Sequence, residues 1–176
     1  MTETMLALVA LMITLFFTMN QQQGIVQAER EIASIELEVL ANAIGSEMMQ
    51  RIATKEYDAA TTGVDLRDVD LADLTVESSF GDSLDCSTSV CTDIDDYNDM
   101  QPFVDYFEVG EDTSGTQQSF VFAITADVKY VDDQGNASTT PTWTKEVTLY
   151  VDQLVQGNEQ KYLLYPIEVK RQFSPQ

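Results

Sequence analysis

From Thr4 to Ala28 the chain carries no charged residue, and the stretch Met5 to Met19 within it reads MLALVALMITLFFTM, broken only by Thr14 and Thr18. Wound as an α-helix, that run is about 22 Å long at ~1.5 Å per residue and apolar on every side. A hydrocarbon layer of about 30 Å asks for ~20 apolar residues. The run is therefore short for a bilayer span, although the uncharged Asn20-Gln21-Gln22-Gln23 that follows suits an interface. The leading Met-Thr-Glu-Thr has no Lys or Arg, and polar residues rather than a small-residue cleavage site follow the run, so the segment reads as retained and not as a secretory signal.

The helical signal continues beyond the apolar core. Ile25, Ala28, Ile32, Ile35, Val39, Ile44, Met48 and Ile52 recur at helical steps, with Glu29, Glu31, Glu36, Glu38 and Glu47 between them, the pattern of an amphipathic helix. No proline occurs before Pro102, so one helix from about Thr2 to about Lys55 is expected, roughly 80 Å long. Gly24 and Gly45 are its expected weak points, each costing about 1 kcal/mol relative to alanine, with local unwinding near Gly24 expected in an assembled state.

Such a helix needs two environments. Its amphipathic half, residues 25–57, can lay its stripe on a folded head, residues 58–176. Its apolar half, residues 1–24, exceeds what that head can cover, and must meet lipid or other copies of the chain.

Charge narrows the partners. Thirty Asp and Glu stand against nine Lys and Arg, a formal net charge of -21. Nucleic acid is excluded as a partner, because phosphate binding depends on clustered Lys and Arg. The acidity reads either as a very soluble surface or as halophilic adaptation, since concentrated salt shortens the Debye length to about 3 Å and screens self-repulsion. There is no histidine, which removes the commonest general base and a leading metal ligand. No nucleophile–base arrangement or Gly-rich phosphate loop is present, and the chain does not read as an enzyme.

On the helix Met1 to about Tyr57, with Ala28-Glu29-Arg30-Glu31 after the apolar run and the stretch Ile44 to Tyr57, the chain resembles the type IV pilin superfamily; the head resembles it only in outline. The resemblance implies an α+β fold in which a long N-terminal helix packs on a C-terminal antiparallel β-meander. It also implies an assembly surface on the apolar half: Met5, Leu6, Leu8, Leu11, Ile13, Phe16, Phe17 and Gly24. Pilins usually carry a glutamate at the fifth mature position, thought to neutralise a neighbour's terminal amine. Here Met5 stands fifth and the nearby carboxylate is Glu3, which either takes that role in a shifted register or is an ordinary acidic residue near a helix start. Met1 as mature terminus and Met1 as translational start both stay open.

After Tyr57 the pattern changes. Asp58 to Met100 is rich in Asp, Ser, Thr and Gly and reads as a connecting region with little regular structure. Cys86 and Cys91, with four residues between them, suit a small disulfide-closed loop worth about 2 kcal/mol; free thiols are the alternative. Asp93, Asp95 and Asn98 offer hard oxygen atoms to calcium, the one cofactor considered, but lack an EF-hand's glycine and final glutamate, and a solvated acidic loop is the competing reading.

From Gln117 onward the chain reads as strand. Phe120, Phe122, Ile124 and Ala126 share one face, as do Trp143, Lys145, Val147, Leu149 and Val151. Turns at Asp132–Asn136 and Gly157-Asn158 lead to a further strand within Tyr162–Phe173, and Val104–Val109 is a candidate fourth. Asn136-Ala137-Ser138 is an N-glycosylation pattern on a turn tip, with Thr139, Thr140 and Thr142 as alternative O-linked sites.

The expectation is a structural subunit of an extracellular, pilus-like homopolymer, membrane-anchored before assembly; a pseudopilin or minor tip subunit falls within that reading. The alternative is a single-pass anchored surface or periplasmic binding protein, which shares the helix but not the self-association.

Overall fold

The computed structural model describes residues 2–81, 91–100, 103–111, 117–155 and 161–175. Cys86 and the expected Gly157-Asn158 turn lie outside the described residues, as do the side chains of Glu3 and Leu6. The fold is α+β. A helix, α1 (Thr2–Ala53), precedes four long strands, β1 (Phe103–Glu111), β2 (Gln117–Val131), β4 (Lys145–Leu154) and β5 (Ile167–Phe173), and a two-residue strand, β3 (Ala137–Ser138). Two compact units result, Met1–Leu37 and Glu38–Gln176.

The first unit is helix alone. It runs unbroken through Gly24 in the single chain. Thr14 and Thr18 turn their hydroxyls back onto the carbonyls of Ala10, Leu11 and Leu15, so these interruptions add little polarity to the surface. Among the described residues no helix is long and apolar enough to cross a membrane.

In the second unit the helix continues from Glu38 and finds its core. Ala41, Ile44, Met48, Met49 and Ile52 are buried, the spacing of one helical face. Gly45 lies on that face, where an added Cβ would sit 2.7 Å from Val169 Cγ2 and 3.2 Å from Val151 Cγ2. Its role differs from the expected weak point: it lets the helix backbone approach the sheet. The expected stripe also shifts. Ile25, Ile32, Ile35 and Val39 are exposed, and of the anticipated series only Ile44, Met48 and Ile52 enter the core.

The sheet is an antiparallel meander in the order β1-β2-β4-β5, with β3 paired to β2. Long hairpin registers run from Val121↔Leu154 to Tyr130↔Lys145 and from Lys145↔Phe173 to Val151↔Ile167. The inward faces read from the sequence are buried, Phe122, Ile124, Ala126, Val128 and Tyr130 on β2 and Lys145, Val147, Leu149 and Val151 on β4, with Phe120 and Trp143 half-buried. The alternation is incomplete, however: Val121, Ala123, Glu146 and Thr148 on the opposite faces are buried as well. The β2–β3 turn is clasped by Asp132, whose carboxylate accepts the Gln134 and Asn136 amides, with Gly135 at φ 81, a conformation that favours glycine. The last strand begins later than expected, at Ile167. Before it, buried Gln153 accepts the backbone N–H groups of Tyr162 and Leu163 through Oε1.

Between helix and sheet the chain makes short 3-10 turns and no longer element among the described residues, as the composition of Asp58–Met100 suggested. It is tied to the fold at Glu56, which forms a parallel bridge with Asp93, and at Asn98, whose Oδ1 accepts the Val128 N–H at 2.8 Å.

Candidate functional site

Two surfaces of opposite character stand out, one apolar and exposed, the other charged and buried. The first lies on the unit Met1–Leu37. Met5, Leu8, Leu11, Ile13, Phe16 and Phe17 are all exposed, as are Val9, Met12, Leu15 and Met19 between and beyond them. Phe16 and Phe17 keep 67% and 64% of their surface. Successive residues on a helix point about 100° apart, so exposure at Leu15, Phe16 and Phe17 alike means that no side of the helix is covered. A Cβ added at Gly24 would meet nothing within 4 Å. Among the six described apolar residues of the expected assembly set, none has found a partner within the chain.

The second is built where the helix exit meets β4. Lys145 is at the inward start of β4 and is fully buried, at 0% exposure, as is Asp58. Lys145 Nζ donates to Asp58 Oδ2 at 2.8 Å and to the Tyr57 carbonyl at 2.9 Å. It also forms a close ion pair with Asp95 Oδ1 at 2.5 Å. Three rings enclose the ammonium, Tyr57 at 4.4 Å and Phe80 and Tyr130 at 5.2 Å from Nζ to centroid.

The two carboxylates differ in their surroundings. Asp58 caps the turn Ala59–Thr61, and its Oδ1 accepts the Ala60 N–H and the Thr75 hydroxyl, both at 3.1 Å. Its Oδ2 accepts the Thr75 N–H at 3.1 Å, with the Tyr130 hydroxyl 3.4 Å away. Burial acts to raise the Asp58 pKa, but the bonds from Lys145, Ala60 and Thr75 outweigh it and hold the group below the usual carboxylate range. Asp95 lacks such donors. Its Oδ1 pairs with Lys145, and its Oδ2 is buried and accepts no bond. Burial pushes its pKa up to about 8, Lys145 opposing and Asp58 and Asp93 reinforcing the rise. Burial likewise raises the phenols of Tyr57 and Tyr130.

Asp93, Asp95 and Asn98, considered as calcium ligands beside the reading of a solvated acidic loop, do not converge. Asp95 faces Lys145, Asn98 holds β2 through Val128, and Asp93 Oδ1 accepts the Asp96 N–H at 3.2 Å. Among the described residues no group of three or more acidic or cysteine side chains is placed to hold a metal ion. Cys91 is buried and disulfide-bonded; the sequence has one other cysteine, Cys86. Asn136 is on the exposed turn tip, its Nδ2 donating to both Asp132 oxygens at 3.3 and 3.2 Å.

Sequence reasoning did not assemble the buried triad. Its one signal was Lys145 itself, a lysine in register with Val147, Leu149 and Val151 on an inward face. Comparison with protein families, curated proteins and solved structures finds no match to this chain.

Proposed function

We propose that the chain is the structural subunit of an extracellular, type IV pilus-like filament, its apolar helices bundled in the core and its acidic heads forming the wall. The observation that carries this reading is the uncovered apolar helix. Ten large apolar side chains from Met5 to Met19 are exposed on all its sides, and Ile25, Ile32 and Ile35 extend that surface. Burial of such side chains is worth about 1.5 kcal/mol or more each.

The cover they need is other copies of the same helix. A bilayer fits less well, because the apolar core is about 22 Å long against ~30 Å of hydrocarbon, while the exposed isoleucines continue well past it. Lipid holds the subunit before assembly and sibling helices replace it. Against assembly stands repulsion between subunits of net charge -21, which salt screens. No enzymatic turnover belongs to this reading.

Negative-stain microscopy of the full-length protein after detergent removal tests it. Filaments are expected in concentrated salt. A soluble monomer at every salt concentration would overturn the proposal, and a protein that stays with lipid vesicles as single copies would replace it with an anchored surface protein.

A further inference from the structure

The buried triad in the head holds a lysine amine against a carboxyl group, in a pocket closed from the surface, with a second acid alongside. We propose that Lys145 and Asp58 condense into an intramolecular isopeptide bond, Nζ to Cγ, with Asp95 as the proton-transferring acid–base group. The inference rests on the head alone and is independent of the filament reading.

Each part of the reaction has a residue in place. Nucleophile and electrophile are already in contact, Lys145 Nζ lying 2.8 Å from Asp58 Oδ2, and holding reactants at near-attack distance removes much of the entropic barrier to a condensation. The choice of electrophile follows from the hydrogen bonds. Asp58 receives backbone N–H groups on both oxygens, from Ala60 and from Thr75, and such fixed donors stabilise the oxyanion that forms when an amine adds to a carbonyl carbon. Asp95 receives none and touches the nitrogen instead. With its pKa pushed up to about 8, it can both give and take a proton near neutrality.

The steps balance. A proton passes from the Lys145 ammonium to Asp58 Oδ2 along their hydrogen bond, leaving the neutral amine and neutral acid that the condensation consumes. The amine lone pair adds to Asp58 Cγ, and the C–O π electrons move to Oδ1, which accepts from the Ala60 N–H and the Thr75 hydroxyl. Asp95 delivers its proton to the departing hydroxyl and recovers one from the nitrogen. The C–O bond breaks, one water leaves, and Asp95 ends as it began. No oxidant or co-reactant is required. Tyr57, Phe80 and Tyr130 screen the site from bulk water, which would otherwise favour hydrolysis over condensation.

Burial also makes sense of the chemistry. A buried ammonium–carboxylate pair retains a large desolvation cost, and amide formation removes both charges while Asp95 stays protonated. Among the described residues, the further charged group acting on both Asp95 and Asp58 is Asp93.

The test is peptide mapping of the purified full-length protein after disulfide reduction and digestion at Lys and Arg. The expected product is a branched peptide joining residues 56–67 to residues 130–161, uncut at Lys145 and lighter by one water than its two chains. Asp95→Asn should abolish or greatly reduce it. Recovery from the wild-type protein of separate linear peptides 56–67 and 130–145 would overturn the proposal, leaving an ion pair only. A branch to residues 68–129 would overturn the assignment of Asp58 as electrophile. Complete branching in Asp95→Asn would overturn the role of Asp95. The wild-type map decides even if that variant does not fold.

Discussion

A Cβ on Gly45 would lie 2.7 Å from Val169 Cγ2, so helix and sheet meet at a point where only hydrogen fits. Overpacking a core costs about 1–3 kcal/mol, more than the ~1 kcal/mol of helix propensity that alanine regains. Gly45→Leu should therefore lower the urea midpoint of head unfolding markedly, and Gly45→Ala by less. Gly24→Ala, with open space around it, should instead raise helix content by far-ultraviolet circular dichroism in detergent.

Removing the buried cation should be severe. Lys145→Met leaves Asp58 and Asp95 facing each other without compensation, and breaking a buried ion pair costs about 3–5 kcal/mol. Lys145→Arg should not rescue it, because a planar guanidinium does not fit a pocket shaped for a compact ammonium. Denaturant unfolding of both variants checks this; stability within about 0.5 kcal/mol of wild type would show the triad to be energetically idle.

The head should lose stability as pH rises from about 4 toward 8. Asp95 has a folded pKa of about 8 against an ordinary value of 3.8. Between those values the folded state binds more protons than the unfolded one, so the slope of stability with pH is negative. In a head whose Asp58 is not condensed, that carboxyl works in the opposite sense. Its pKa is lowered from 3.8, so its contribution is present above that value and lost as pH falls through the folded one. Together they place the optimum on the mildly acidic side. In Asp95→Asn the decline in melting temperature between about pH 5 and 8 should disappear; an unchanged decline would assign it to another group.

For assembly, charge at the centre of the uncovered run is the sharpest probe. Phe16→Asp should abolish filaments while leaving the melting of the head unchanged, since Phe16 belongs to the unit Met1–Leu37. Glu3→Gln should impair assembly if Glu3 meets a neighbour's terminal amine. Filaments of the wild-type protein should fray in dilute buffer and tighten with added salt.

Period and punctuation made most of the fold legible. The absence of proline before Pro102 and the three-to-four-residue recurrence gave one long helix, and period-two alternation around Phe122 and Val147 gave the paired strands with their inward faces. The stripe was harder. Ile25, Ile32 and Ile35 recur at helical spacing just as Ile44, Met48 and Ile52 do, and only the placement of the sheet, marked by Gly45 against Val151 and Val169, tells which of them are covered. The triad was less legible still. Asp58 and Asp95 are two among thirty acidic residues, and nothing local distinguishes a carboxylate destined for burial. Asp58 has a local role as the cap of the turn Ala59–Thr61, but what selects both for burial is tertiary: the Thr75 amide on one side and the rings of Phe80 and Tyr130 on the other. For the same reason Asp93, Asp95 and Asn98, close in sequence and similar in chemistry, go to three different partners.

The 87-residue separation of Asp58 and Lys145 has a mechanical meaning for any polymer pulled along its axis. Tension entering through α1 reaches Asp58 just beyond the helix end, and through the proposed Asp58–Lys145 bond it crosses there directly to β4. The intervening chain, with its acidic turns, β1 and β2, becomes a side loop outside the load path. A chain so bonded passes load from the helix to β4 without loading the segment between them.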